Sequence, residues 1–111
     1  LEDQREDMAM CISRARHLHG RVGHEEGPQV NDPRAPEWQP QLDAHFGWWE
    51  EIVCTRLKAG AEYFTFNPEF GPPNYMPTLP HTRQPVADLW DVCLWMANRF
   101  EGRYRELVEA R

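Results

Sequence analysis

The chain has 111 residues, room for one small domain, and its 12 Lys and Arg against 18 Asp and Glu give a formal net charge of -6. That balance leaves out the basic surface a nucleic-acid backbone requires. No apolar run approaches the roughly 18 residues of a membrane span, and no charged-then-apolar leader resembles a signal peptide. The expectation is a cytoplasmic protein with neither nucleic acid nor membrane as partner. Cys11, Cys54 and Cys93 are odd in number, widely spaced and set in apolar helical patterns, so they read as reduced, buried thiols rather than a disulfide framework.

The sequence opens on Leu1 and enters a charged amphipathic stretch at once, as expected of a piece of a longer chain. Met8, Cys11, Ile12 and Ala15 recur at helical spacing, which predicts a helix over residues 1–16. Residues 16–22 read as a short strand, and residues 23–36, rich in Gly, Pro, Asp and Asn, as a loop. Over residues 36–59 the apolar stripe Leu42, Phe46, Trp49, Val53 and Leu57 predicts a second helix, with Gly60 placed to cap its C-terminus. His45 falls on the polar side of that helix and reads as a structural residue. Asp43, Glu50 and Glu51 read as a solvated face, and the Trp48–Trp49 pair as packing of the helix on a sheet.

Aromatic and β-branched residues predict a second strand over residues 61–69. The prolines at 68, 72, 73, 77, 80 and 85 then impose a stiff loop, and Pro85 is placed at the first turn of a closing helix over residues 86–110. A strand, a crossover helix and a second strand form a βαβ unit with parallel strands.

Side chains two apart in a strand share a face. His17, His19 and Arg21 therefore point one way on the first strand, and Tyr63, Thr65, Asn67 and Glu69 one way on the second. Parallel sheets covered by helices are normally apolar on both faces, so two polar faces side by side need a reason. The interior of a barrel near its mouth supplies one, because catalytic groups of such barrels sit at the C-terminal ends of strands. His19 and Glu69 are the expected pair of metal ligands, since a mixed nitrogen and oxygen donor set suits Mn²⁺, Co²⁺, Zn²⁺ or Mg²⁺. Arg21, with its fixed fork of donors, is expected to hold a substrate hydroxyl or phosphate, with His17 and Asn67 beside it as further substrate contacts. The plain alternative has weight: a His-x-His alone is a weak motif, and a strand histidine is more often a hydrogen-bonded structural residue. His24 and His81 lie on mouth-side loops within possible reach of a ligand.

The runs His-Leu-His-Gly-Arg-Val-Gly at 17–23, Gly27-Pro28-Gln29, Asp32-Pro33 and Phe-Asn-Pro-Glu-Phe-Gly-Pro at 66–72 resemble the C-terminal part of the xylose-isomerase-like barrel superfamily, the sugar phosphate isomerase and epimerase group. The resemblance covers nearly the whole chain. It implies an α/β fold, a partial (β/α)₈ barrel made of the last two parallel strands with three flanking helices, so that residues 1–111 form the C-terminal fragment of one barrel domain. It implies His19 and Glu69 as metal ligands and Glu69 as the base that takes a proton next to a sugar carbonyl. The remaining ligands, a Glu and an Asp, would stand on two earlier strands, so the fragment alone is expected to be nearly inactive. Family epimerases place their substrate arginine several residues beyond the histidine, whereas Arg21 is only two beyond His19.

Three rivals differ in class. A cupin also uses His-x-His followed by Glu, and Glu25 and Glu26 lie nearby, but it needs many antiparallel strands. An endonuclease IV-like phosphodiesterase shares the barrel but carries a basic surface. A non-catalytic interaction module would use the exposed strand edges to pair with another copy.

Overall fold

The computed structural model describes residues 4–110, which form a mixed α/β unit. In chain order these include α1 (Arg5–Arg14), β1 (His17–Gly20), a 3-10 turn (Pro36–Trp38), α2 (Gln39–Lys58), β2 (Thr65–Pro68) and α3 (Leu89–Glu109). The strands form a two-stranded parallel sheet in the register His17 to Thr65, Leu18 to Phe66, His19 to Asn67 and Gly20 to Pro68. α1 packs on α2, α2 on α3 and α3 on β2. Among the described residues no helix is long and apolar enough to cross a membrane.

Each element is shorter than its sequence pattern predicts, for identifiable reasons. Of the helix expected over residues 1–16, residues 1–3 lie outside the described part. Its end comes at Arg14, because Ala15 takes an extended backbone that leads straight into β1. β1 therefore has only four residues, and β2 can pair over no more than the same length, so residues 61–64 remain unpaired. Gly60 at φ +89° turns the chain out of α2 in the left-handed region that glycine enters without a Cβ penalty. The third helix starts at Leu89 and not at residue 86. Asp88 caps it by accepting the N–H of Asp91 at 3.0 Å, while Pro85 is held in the loop by a bridge to Thr78.

The core lies between the sheet and α2 with α3. Leu42, Phe46, Trp49, Ile52, Val53 and Leu57 of α2 are buried together with Val92, Met96 and Phe100 of α3. Phe66 of β2 stacks on Phe100 at 3.9 Å between centroids and 7° between planes, with Trp49 edge-on to Phe66 at 5.5 Å. On β1, Leu18 and Gly20 are buried while His17 and His19 are exposed, so the alternation predicted from the sequence holds, with its apolar side against the helices.

Three sequence readings are corrected by burial. None of the three cysteines is buried as expected: Cys11 is exposed and Cys54 and Cys93 are half-buried, although all three are free thiols. Glu50 is not simply solvated: Arg103 of α3 donates to it at 2.6 Å and to Glu106 at 2.8 Å, tying the two helices. His45 does not stand on a polar face but is half-buried, with Nδ1 donating to the Gln41 carbonyl at 2.7 Å and Nε2 accepting the N–H of Gly23 at 3.3 Å.

Burial pushes the His45 imidazole below its ordinary value, outweighing the opposing effect of the Gln41 carbonyl. The native state thus binds this proton less readily than the unfolded chain does. Its contribution is present in full above the unfolded value of about 6.5 and is lost as pH falls through the lower native value. Urea unfolding of wild type and of a His45→Asn variant across pH 4.5 to 7.5 is expected to show this loss of stability on acidification in wild type and a smaller one in the variant.

A Cβ added at Gly20 would overlap the ring of Phe66, and that ring is already stacked on Phe100 and has no room to swing away. Overpacking of this kind costs about 1–3 kcal/mol. Gly20→Ala is expected to lower the unfolding free energy by that amount, read as a lower urea midpoint without a change in denaturant slope.

Candidate functional site

Strand alternation delivers His17, His19, Thr65 and Asn67 to the solvent side of the sheet. Glu69 follows β2 by one residue and keeps to the same side. Its backbone N–H donates to the Gly20 carbonyl at 3.3 Å, so the ladder is in effect extended by one bond beyond the last strand residue. Its side chain then reaches across the pair, and Nδ1 of His19 lies against Glu69 Oε2. The side chains stay 57% and 43% exposed, which makes this an open site at the C-terminal ends of the strands rather than a sealed ion pair. Oε2 itself is shut off from water and engages in no hydrogen bond of ordinary geometry.

Arg21 adopts a different role from a free substrate clamp. Its Nε donates to the backbone carbonyl of Glu69 at 2.8 Å, its Nη2 stands 3.8 Å from Oε1 of the same residue, and its guanidinium lies over the Tyr75 ring at 4.4 Å from the centroid. Glu69 is thus held at its N–H by Gly20 and at its carbonyl by Arg21. His17 is hydrogen-bonded through Nδ1 to Thr65 Oγ1 at 2.6 Å and meets the His19 ring edge-on at 4.9 Å. Asn67 stands exposed opposite His19 in the register.

Gln29 is part of this arrangement, a role that its place in the Gly27-Pro28-Gln29 run does not disclose. It is 4% exposed, and its amide clasps the backbone of Gly71, accepting the N–H at 2.7 Å and donating to the carbonyl at 3.1 Å. The loop after β1 is thereby pinned to the loop after β2, two residues beyond Glu69. Gln29 sits between Pro28 and Val30 with no period around it, and its partner is 42 residues away, so local pattern offers nothing to find it by. Tyr75, which supports Arg21, is equally unmarked within the proline-rich segment.

Of the other histidines, His24 lies beside Trp38 at 5.0 Å and joins Gly27 in a tight antiparallel bridge, while His81 is exposed on the far loop at φ 63°. Among the described residues no three His, Cys, Asp or Glu side chains gather as ligands of one ion. His19 and Glu69 are a pair. No protein-family model, curated protein or solved structure matches this chain.

Replacing Gln29 by Leu would leave the Gly71 N–H and carbonyl buried without partners, at about 1–3 kcal/mol for each group. The variant is expected to unfold at clearly lower urea than wild type. Amide resonances of residues 69–71 should shift further than those of α3.

Proposed function

We propose that this chain supplies two neighbouring strand–helix units of a divalent-metal sugar isomerase or epimerase on a (β/α)₈ barrel, acting on a sugar or sugar phosphate. One observation carries the reading: an imidazole and a carboxylate from adjacent parallel strands meet at the C-terminal ends of those strands, on an open polar face. A parallel sheet that devotes one face to His17, His19, Thr65, Asn67 and Glu69 fits a barrel lumen better than a helix-covered layer.

The residues suit a metal. By residue type the pair fits: a carboxylate oxygen lies against an imidazole nitrogen of the commonest metal-ligating side chain. His19 and Glu69 would hold Mn²⁺, Co²⁺, Zn²⁺ or Mg²⁺, the other ligands coming, by the resemblance, from a Glu and an Asp on further strands. A bound divalent ion would polarise the substrate carbonyl and stabilise negative charge developing on its oxygen.

The chain's own residues would do the remaining work. Glu69 takes the proton from the carbon next to the carbonyl and returns it. Arg21 fixes the Glu69 backbone, and Gln29 fixes the loop that follows, so the carboxylate is aimed before substrate arrives. His17 and Asn67 border the pair and are placed to meet sugar hydroxyls. Arg21 thereby becomes a positioning residue, which accounts for its closeness to His19.

Titration with Mn²⁺, followed by its paramagnetic resonance signal, tests the pair. His19→Ala and Glu69→Gln are each expected to weaken binding at least 10-fold, while their circular dichroism stays that of wild type. Equal affinity in wild type and both variants would overturn the metal reading and favour a non-catalytic module.

A further inference from the structure

His17 and His19 stand two apart on β1, and both are exposed on the polar side of the sheet. Their ring centroids lie 4.9 Å apart, with the planes at 86° to one another. Each ring is steadied from β2 or its extension at the same atom. Nδ1 of His17 is hydrogen-bonded to Thr65 Oγ1 at 2.6 Å, and Nδ1 of His19 lies against the Glu69 carboxylate. Neither Nε2 has a hydrogen-bond partner among the described residues.

The engagement of Nδ1 decides what Nε2 can do. A carboxylate only accepts, so in the neutral His19 ring Nδ1 carries the proton and Nε2 keeps its lone pair. A threonine hydroxyl accepts as readily as it donates, so the same tautomer is open to His17. An oxygen on one ring nitrogen is the usual companion of a metal on the other: it fixes the tautomer and the direction of the ring, and it raises the basicity of the ligating nitrogen. Two imidazoles sharing one ion through bonds of about 2.1 Å at a tetrahedral angle have their centroids roughly 5 Å apart. The two rings already have that separation.

We infer that Nε2 of His17 and Nε2 of His19 form a chelating site for a late first-row divalent ion, Zn²⁺, Ni²⁺ or Cu²⁺, with Thr65 and Glu69 as the outer partners that aim the rings. Imidazole suits these ions, and their affinity for nitrogen donors exceeds that of Mn²⁺. The remaining positions on the ion belong to water, since among the described residues no third His, Cys, Asp or Glu joins the pair. The site differs in its atoms from the one proposed above: Glu69 touches the ring and not the ion, and His17 is a ligand rather than a sugar contact. It stands whether or not Glu69 binds Mn²⁺. Because His19 belongs to both sites, a late metal here competes with Mn²⁺.

Zn²⁺ is the probe, added to the full chain labelled with nitrogen-15 and followed at the histidine ring nitrogens, with calorimetry for stoichiometry and affinity. One ion per chain is expected, with Nε2 of His17 and of His19 shifting together and both Nδ1 signals moving less. His17→Ala and His19→Ala should each weaken Zn²⁺ binding at least 10-fold, and Thr65→Val, which removes the outer partner of His17, by about 10-fold. His24→Ala and His81→Ala should leave it unchanged, and every variant should keep the circular dichroism of wild type. The proposal is overturned if His17→Ala binds Zn²⁺ as tightly as wild type, if the nitrogen of His19 that shifts is Nδ1, or if the ion settles on His24 or His81. Loss of Zn²⁺ binding in His17→Ala beside equal Mn²⁺ affinity in wild type and Glu69→Gln supports this site while sinking the metal reading above. Mn²⁺ binding that needs Glu69 beside Zn²⁺ binding that ignores His17 does the reverse.

Discussion

The stacking of Phe66 on Phe100 decides which way β2 faces, and much of the molecule follows from that decision. With Phe66 committed to α3 and flanked by Trp49, its neighbours Thr65 and Asn67 are forced to the other side of the sheet, where β1 already presents His17 and His19. The close approach of the Phe66 ring to Gly20 explains why the opposite strand has no side chain at that point. Apolar burial thus orders the polar face without touching it. The energy that aligns the candidate groups comes from the far side of the sheet.

Glu69 lies just past the last paired strand residue, where a chain would ordinarily begin to wander. Instead, its N–H is held by the Gly20 carbonyl, its carbonyl by Arg21, and the Gly71 peptide by Gln29. These are bonds to backbone, so they orient the carboxylate while leaving its oxygens for other partners. Proline supports the same end: Pro68 and Pro72 bracket the segment and limit its freedom in the unfolded chain as well as the folded one. In the proposed isomerase, the cost of aiming the base is met during folding and not during binding.

The period-two alternation in 17–22 and 63–69 was readable in the sequence because burial on one side of a sheet imposes it residue by residue. The same holds for the helical stripe of α2. What escaped was most of what is set by partners distant in the chain, the meeting of His19 and Glu69 apart. The strands are half as long as their composition suggests because pairing needs two partners and Ala15 lets β1 begin only at His17. Asp88 rather than Pro85 starts α3, since a side-chain cap competed successfully with a ring that merely tolerates the first turn. Gln29, Tyr75 and the double engagement of His45 depend on contacts across the fold, and no periodicity records them. Arg21 was placed on the right face, but its partner, the Glu69 carbonyl, belongs to main chain and carries no signature of its own.

A four-residue parallel ladder has few bonds with which to resist sliding. Displacing β2 along β1 by a single position would bring Phe66 out into water and turn Thr65 and Asn67 inward, reversing the sidedness of the whole ribbon. The aromatic anchor makes that displacement prohibitive, so the chain has in effect one usable alignment. The meeting of imidazole and carboxylate is inherited from that alignment: it is locked in when the strand docks, with no separate adjustment of either group.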